Sequence, residues 1–144
     1  MSRGPAVVAD VRDPLMDRVI GCAIEVHRTL GPGLLESAYA RGLAYELLNA
    51  GVRFREQVPV PVMYKRARLE CGYRLDLVVE DRIILEIESA ERASRLHRAR
   101  VLACMRLTGI EVGYLLNFHA PRLVDGLCRL RLTMPPAPLA QCAR

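Results

Sequence analysis

The sequence predicts an α/β domain in which helices flank a central mixed β-sheet. Two segments near the N-terminus repeat apolar residues at helical spacing, and short runs rich in Val, Ile and Leu follow them. A third helical pattern then leads into one more buried run. The chain has 144 residues, of which 51% are hydrophobic, and this is ample for one core. A single domain is therefore expected.

The two ends of the chain are expected to lie outside this domain. The domain is predicted to span residues 13–132, with residues 1–12 as a flexible arm and the proline-rich residues 133–144 as a disordered tail. No run approaches the roughly eighteen apolar residues of a membrane span. The first residues also lack the longer apolar region of a signal peptide. A cytoplasmic location is therefore expected.

The cysteines are scattered, odd in number and without a C-x-x-C pair. This pattern argues against a zinc site and against a disulfide framework. Reduced, mostly buried thiols are therefore expected at the five positions, which are Cys22, Cys71, Cys104, Cys128 and Cys142.

The first helix is predicted to run up to Leu30. Asp13 is a good N-cap, and Pro14 suits the first helical position. Gly-Pro-Gly at residues 31–33 ends the helix. The residues that recur at helical spacing are Leu15, Val19, Ile20, Ala23, Ile24 and His27. His27 is therefore expected to be a packing residue.

A second helix is predicted over residues 34–49, and Gly51 is its stop signal. Glu36 falls in the first turn, where the positive end of the helix dipole favours a carboxylate. Tyr39 follows three residues later, and its position is compatible with packing or with a site. The residues expected to be buried are Leu35, Ala38, Leu43 and Leu47.

Strand patterns follow Gly51. Residues 52–58 alternate loosely, and the prolines on either side of Val60 confine residues 60–64 to an edge or to a strand start. A basic turn is predicted at residues 65–68. Residues 69–79 and 82–88 are predicted to form a hairpin, because Glu80-Asp81 is a polar break between two apolar runs.

The third helix is predicted from the cap residue Ser94 to Leu107, before the stop signal at Gly109. Residues 111–117 are predicted to form a buried strand, and residues 127–132 a further one. The predicted apolar stripe of the helix consists of Leu96, Ala99, Leu102, Ala103 and Leu107.

Three carboxylates lie within the apolar strands of the predicted hairpin. Asp76 shares a face with Arg74, and Glu86 shares a face with Glu88, because strand side chains alternate. Charge is costly on a core strand unless it is paired or bound to a metal. An acidic residue beside a Glu-x-Glu pair can hold magnesium, which prefers oxygen ligands. The alternative is a set of surface carboxylates paired with arginines.

The segment 33–39, Gly-Leu-Leu-Glu-Ser-Ala-Tyr, matches the signature of the GxxExxY proteins. The resemblance continues through residues 24–33, 57–61 and 72–77, and then through Leu107-Thr-Gly109 and Leu116-Asn-Phe118. It implies the PD-(D/E)XK nuclease-like fold, in which a central sheet is flanked by helices. The superfamily includes endonucleases that use magnesium.

The resemblance also implies roles for individual residues. Glu36 corresponds to the glutamate of the signature, Asp76 to the motif aspartate and Glu86 to the acidic residue of the (D/E)-x-K pair. These three residues are therefore the expected metal ligands, and magnesium is the expected ion. The lysine of the pattern is replaced by Glu88, so three acids are crowded together and at least one pKa should be raised.

The third helix departs from the family pattern as well. Arg100 and Cys104 stand where relatives resemble a Gln-x-x-x-Tyr motif. One hypothesis is that Glu88 and Arg100 form a salt bridge that fills the former catalytic centre. The rival hypothesis is that Arg100 takes over the electrostatic role of the lysine, with Glu88 as an extra metal ligand. Arginine clamps phosphate well but is a poor proton acceptor.

The basic residues point to a polyanionic partner. The net charge is +5, and only one of the twenty-one basic residues is lysine. His97 lies one helical turn before Arg100, so both can face the same site. Sparse aromatic residues provide no evident platform for single strands. The residues predicted to contact nucleic acid are Arg74, His97, Arg100, Lys65, Arg66 and Arg68.

Three functions are compatible with these patterns. The first is a nucleic-acid-binding protein whose nuclease centre is weak or inactive, because Glu88 replaces the motif lysine. The second is an active magnesium-dependent DNA or RNA nuclease in which Arg100 replaces that lysine. The third is a structural protein that assembles as a homo-oligomer.

Overall fold

The computed structural model describes residues 13–91 and 95–132. The arm predicted at residues 1–12, the tail at 133–144 and the Ser94 cap lie outside the described residues. The described helices are α1 Pro14–Leu30, α2 Glu36–Asn49 and α3 Arg95–Thr108, with a short 3-10 helix Leu123–Gly126. The strands are β1 Phe54–Pro59, β2 Val62–Tyr64, β3 Ala67–Leu69, β4 Arg74–Val79, β5 Ile83–Glu88, β6 Val112–Asn117 and β7 Leu127–Arg131.

Five of the strands form one mixed sheet in the order β1-β4-β5-β6-β7. Only β5 and β6 pair in parallel, and α3 connects them, while the other neighbouring strands are antiparallel. One face of the sheet packs in a core with α1 and α2, and the other face packs with α3. The predicted α/β architecture with a mixed sheet is therefore confirmed.

The first helix follows its prediction at both ends. Asp13 accepts a hydrogen bond from the backbone N–H of Leu15 at 2.9 Å, and Pro14 begins the helix. His27 is buried, and its Nε2 lies 2.7 Å from the carbonyl oxygen of Ala120. The prediction that His27 packs in the interior is therefore confirmed.

The second helix begins two residues later than predicted. Glu36 is its first residue, and Leu35 lies outside it with 79% of its surface exposed. The prediction that Leu35 is buried is therefore wrong. Leu43 and Leu47 face the core as expected, while Ala38 is only partly buried.

The hairpin turn at Glu80-Asp81 is confirmed. Both residues have positive φ, at 52° and 53°, and the N–H of Arg82 donates to the carbonyl of Val79 at 2.9 Å. Two consecutive residues with positive φ define a type I′ turn, which matches the twist of antiparallel strands.

The predicted strand over residues 69–79 is wrong, because it consists of two separate pieces. Leu69 belongs to β3, which pairs only with β2, and the central strand β4 starts at Arg74. The basic turn is correspondingly shorter than predicted, since it comprises residues 65 and 66. Gly72 adopts positive φ, at 73°, in the connection between the two pieces.

The buried face of α3 differs from the predicted stripe. Val101, Cys104 and Met105 are buried, whereas Leu96 is 67% exposed. Ala99 and Ala103 are also exposed. Apolar residues lie on more than one side of this helix, so its spacing did not determine which side faces the sheet. Packing of Val101 and Met105 against Gly113 of β6 determines it instead.

The described residues contain neither a membrane-spanning helix nor a disulfide bond. None of their helices is both long and apolar enough to span a membrane. The four cysteines within them, which are Cys22, Cys71, Cys104 and Cys128, are free. Of these four only Cys104 is buried, so the prediction of mostly buried thiols is wrong for the described residues.

Candidate functional site

A cavity of about 210 Å³ opens where the first residues of β4, the last residues of β5 and the start of α3 meet. Glu36 reaches it from the first turn of α2. The cavity brings together seven residues that the sequence singled out, namely Glu36, Arg74, Asp76, Glu86, Glu88, His97 and Arg100.

Asp76 and Glu86 hold each other through the backbone of the hairpin. The N–H of Asp76 donates to Oε1 of Glu86 at 3.0 Å, and the N–H of Ile87 donates to Oδ2 of Asp76 at 2.8 Å. These bonds replace ladder hydrogen bonds at the point where the β4–β5 pairing ends. One oxygen of each carboxylate is thereby fixed, and the other oxygen is left directed away from these backbone bonds.

Burial makes ionisation of this pair costly. Desolvation raises the pKa of Glu86 to about 8, with a further contribution from the charge of Asp76. Desolvation also raises the pKa of Asp76, although the N–H of Ile87 opposes the shift. Two carboxylates in one poorly solvated place resist ionising together. A positive charge placed between them would relieve this cost.

Glu88 is buried, with 5% of its surface exposed, and it pairs with His97. Its Oε1 contacts Nδ1 of His97, while its Oε2 has no hydrogen-bond partner among the described residues. Desolvation raises the pKa of Glu88, and the nearby charge of His97 opposes this shift. The residue expected to replace the motif lysine is therefore part of a carboxylate and imidazole pair.

The hypothesis of a salt bridge between Glu88 and Arg100 is wrong. In the described part of the chain, Arg100 forms no salt bridge, and it acts on Glu86 and Glu88 only as a nearby charge that lowers their pKa. Arg100 is exposed because it lies on the solvent side of α3, whereas His97 takes the side towards Glu88.

Two cations flank the mouth of the cavity. Arg74 and Arg100 line it and are exposed, and neither forms a salt bridge with another described residue. Elsewhere in the protein many arginines are paired. Among the paired ones are Arg28, Arg41, Arg53, Arg55, Arg82 and Arg122.

A buried tyrosine fixes the loop that presents Glu36. The hydroxyl of Tyr39 donates to the carbonyl of Gly31 at 2.6 Å and accepts from the N–H of Leu34 at 3.0 Å. Its ring stacks on Phe118 at 4.4 Å between centroids. The sequence left open whether Tyr39 packs or forms part of the site. The structure makes it a packing residue that shapes the entry into α2.

Two residues near the carboxylates were missed by the sequence analysis. Ser89 Oγ donates to the carbonyl of Leu34 at 2.9 Å and so ties the loop before α2 to the end of β5. Gln57 has φ of 50° inside an edge strand, and its Nε2 lies 3.5 Å from Oδ1 of Asp76. Neither contact has a periodic signal, although Gln57 begins one of the segments that carry the family resemblance.

Three predicted nucleic-acid contacts do not line the cavity. Lys65 and Arg66 form the turn between β2 and β3, and Arg68 lies within β3, where its Nε donates to Glu70 at 2.7 Å. The structure separates them from the carboxylates because β2 and β3 form their own two-stranded sheet.

The donors in the cavity fit a hard divalent cation in kind. Asp76 and Glu86 each keep one oxygen outside the backbone hydrogen bonds, and magnesium often uses only one or two carboxylates together with waters. As the side chains stand, no group of three or more His, Cys, Asp or Glu residues in the described chain converges closely enough to hold a metal. The pair is therefore the part of the site that fits an ion, and Glu36 lies further along the same wall.

The fold and the site together define a class of protein. A mixed sheet with an acidic pair on its two central hairpin strands, facing a helix, is the arrangement expected of a nuclease-like α/β domain. Residues 13–130 match the family model of the PD-(D/E)XK nuclease superfamily, and the chain belongs to this superfamily. Searches of curated proteins and of solved structures gave no match.

Proposed function

We propose that this protein binds nucleic acid at the cavity and that its hydrolytic centre is weak or inactive. The observation that carries the proposal is the pair formed by Glu88 and His97 at the position of the motif lysine. A lysine there would add a positive charge beside the scissile phosphate. A buried carboxylate instead adds negative charge, which disfavours a developing phosphate charge.

Phosphate binding is assigned to the two unpaired arginines. Arg74 and Arg100 stand on the mouth of the cavity, where their guanidinium groups are exposed. A guanidinium group binds phosphate through two parallel hydrogen bonds, and these bonds do not require proton transfer. The surroundings therefore favour holding a phosphate over activating water.

A divalent cation is part of the proposal, with magnesium as the expected ion. Asp76 and Glu86 would hold it through the oxygens that accept no backbone hydrogen bond, and Glu36 would contribute from the start of α2. When bound, such an ion neutralises charge on a phosphodiester and lowers the pKa of water. Because the pKa of Glu86 is raised to about 8, proton loss from Glu86 is coupled to this binding.

An active nuclease is the second candidate. The backbone bonds that orient Asp76 and Glu86 favour it, because they leave the two carboxylates prearranged. In that case Arg100 supplies the cation that the lysine would supply. His97 would then serve to neutralise Glu88.

A cleavage assay separates the two candidates. The purified protein is incubated with single-stranded and double-stranded DNA and RNA in the presence of magnesium or manganese. We expect no cleavage by the wild type and a gain of cleavage in Glu88→Lys. Cleavage by the wild type that is lost in Asp76→Ala would overturn the proposal, and Asp81→Ala is the control for removal of a carboxylate outside the cavity.

A binding assay separates the two nucleic-acid-binding candidates from a structural protein that assembles as a homo-oligomer. The affinity for DNA and RNA is measured at several salt concentrations, together with the molar mass in solution. Phosphate contacts predict an affinity that falls as salt rises and that is weakened in Arg74→Gln and Arg100→Gln. Negligible affinity at low salt, together with large defined oligomers, would favour the structural protein instead.

A further inference from the structure

A small hairpin extends from the end of the sheet at which the cavity lies. Residues 62–69, here called the β2–β3 arm, follow the last pair of the β1–β4 ladder, in which Pro59 is opposite Arg74. Arg74 lines the cavity and so places the base of the arm beside it. Pro61 has no N–H, so the ladder of the main sheet is interrupted before the arm begins.

The base of the arm is anchored while its body is exposed. Val60 is 3% exposed within the core beneath α3, and its N–H donates to the carbonyl of Tyr73 at 2.8 Å. By contrast, every residue of β3 is exposed and Tyr64 at the end of β2 is 60% exposed, while Val62 and Met63 are half-buried. The arm is therefore a two-stranded ribbon that carries little of the core.

The tip of the arm carries positive charge. Lys65 and Arg66 form the turn, and in the described part of the chain neither of them is in a salt bridge. Arg68 behind them is compensated by Glu70 at 2.7 Å. The ribbon therefore presents its net charge at the end that is furthest from the sheet.

A ribbon of this kind fits the major groove of B-form DNA, which is about 12 Å wide and admits two antiparallel strands. Five residue steps separate Val60 from Lys65, and an extended chain covers roughly 16 Å over that number. This reach exceeds the depth of the groove, which is about 8.5 Å. The tip can therefore enter the groove while the base stays beside the cavity.

Other nucleic acids fit the arm less well. Single strands are commonly held by stacking on exposed aromatic rings. The one aromatic residue of the arm, Tyr64, has Lys65 Nζ over its ring at 5.4 Å from the centroid, and the chain contains no tryptophan. Duplex RNA has a narrow major groove that excludes such a ribbon.

We propose that the β2–β3 arm inserts into the major groove of duplex DNA, and that B-form duplex DNA is therefore the partner of the adjoining cavity. This inference rests on the proposed function, and it adds the class of nucleic acid and the element that selects it. The arginines of the cavity contact a phosphate in any polynucleotide, whereas the arm requires a groove of suitable width.

The test compares labelled duplex DNA, single-stranded DNA and duplex RNA of equal length by fluorescence anisotropy over a range of salt. The arm variant is Lys65→Asn with Arg66→Gln, because asparagine tolerates the positive φ of residue 65. Arg106→Gln is the control, since Arg106 is an exposed residue near the other end of α3. A duplex methylated at guanine N7 serves as a probe of the major groove.

We expect the arm variant to lose affinity for duplex DNA on the order of tenfold or more. Its affinity for single strands and duplex RNA should change by no more than about twofold, a bound well below that loss. Methylation at N7 should weaken the wild type and leave the arm variant unaffected.

Equal losses on all three nucleic acids would overturn the inference, because the tip would then contact phosphates without using the groove. Unchanged affinity of the arm variant for duplex DNA would overturn it as well, while leaving the proposed function intact. A wild type that binds none of the three at low salt would overturn both.

Discussion

The two ends of the β4–β5 hairpin carry the same kind of side chain in opposite surroundings. At the turn, Glu80 and Asp81 are partnered by arginines of β1 and its approach, with Arg53 3.1 Å from Glu80 and Arg55 2.6 Å from Asp81. The N–H and the guanidinium of Arg53 lower the pKa of Glu80. These carboxylates behave as ordinary surface groups.

At the open end of the hairpin, the carboxylates form no salt bridge with any arginine in the described residues. Asp76 and Glu86 accept hydrogen bonds from backbone N–H groups, and Glu88 contacts His97. Burial nevertheless raises the pKa of all three carboxylates. The contrast shows that the many arginines of this chain do not neutralise every acidic residue. Paired acids mark the stable turn, and acids without arginine mark the candidate site.

The largest expected effect is at Glu86, where the free energy of unfolding should depend on pH in the opposite direction to that at Glu80. Its pKa in the folded protein, about 8, exceeds the usual 4.5, so the folded state keeps a proton that the unfolded chain has lost. Wild-type stability should therefore fall as pH rises from about 5 to about 8. Glu86→Gln removes this fall and should gain a few kcal/mol relative to the wild type between those limits.

Chemical denaturation in the presence of a chelator, at both ends of this pH range, measures the difference. Glu80→Gln is the matched change at the turn. The pKa of Glu80 is lowered in the folded protein. The stability that Glu80 contributes is therefore present above the pKa of the unfolded chain and is lost as pH falls. If Glu86→Gln retained the wild-type pH profile, the two ends of the hairpin would not differ in the way described.

The second effect is expected at His97. Its removal in His97→Ala leaves the buried Glu88 without this partner, which should lower the free energy of unfolding by about 1–3 kcal/mol. The matched change at the turn is Arg55→Ala, which breaks an exposed pair and should cost less than about 1 kcal/mol.

A double-mutant cycle with Glu88→Gln isolates the coupling of this pair. The loss in His97→Ala should shrink when Glu88 is already neutral, because the buried charge is then absent. Equal losses with and without Glu88→Gln would contradict the pairing, and circular dichroism of each variant checks that the fold is retained.

A third effect tests the loop that supports the open end. Tyr39→Phe keeps the stacking on Phe118 but removes the two hydrogen bonds to Gly31 and Leu34, so unfolding should become easier by about 1–2 kcal/mol. Urea denaturation measures the change. Tyr45→Phe, at an exposed position of α2, should have almost no effect, and a similar loss in both variants would contradict the role of Tyr39.

The smallest effect is expected at the turn itself. Asp81 has φ of 53°, a conformation that glycine adopts without strain, but Asp81→Gly also loses the exposed contact with Arg55. The two effects oppose each other, and the net change should stay within about 0.5 kcal/mol. Thermal unfolding measures it, and a loss of several kcal/mol would show that the turn is as sensitive as the open end.

The periodicity and the stop signals of the sequence predicted most elements of the fold. The cap at Asp13, the turn at Glu80-Asp81 and the stop at Gly109 are local, since each depends on residues that are adjacent in the chain. The apolar face of α3 was predicted wrongly, because several faces of that helix carry apolar residues. Contact with Gly113 decides between them, and this contact joins distant segments.

The sequence predicted which carboxylates lie together at the candidate site, but it did not predict which residue pairs with Glu88. The family resemblance placed Glu36, Asp76 and Glu86 together, and the structure brings them to one cavity. The partner of Glu88 was predicted to be Arg100 and is His97. The two side chains are three residues apart on one helix, so spacing alone could not show which of them faces the sheet.

By itself, the sequence determined the order of the elements and the acidic pair on the hairpin, and its family resemblance predicted the loss of the motif lysine. The tertiary structure alone decided which acids are neutralised and which are buried. It also separated the basic turn at residues 65 and 66 from the cavity, because the pairing of β1 with β4 ends at Pro59 and Pro61 has no N–H to continue it. Partners of this kind are set by packing between segments far apart in the chain, and a one-dimensional pattern carries no record of that packing.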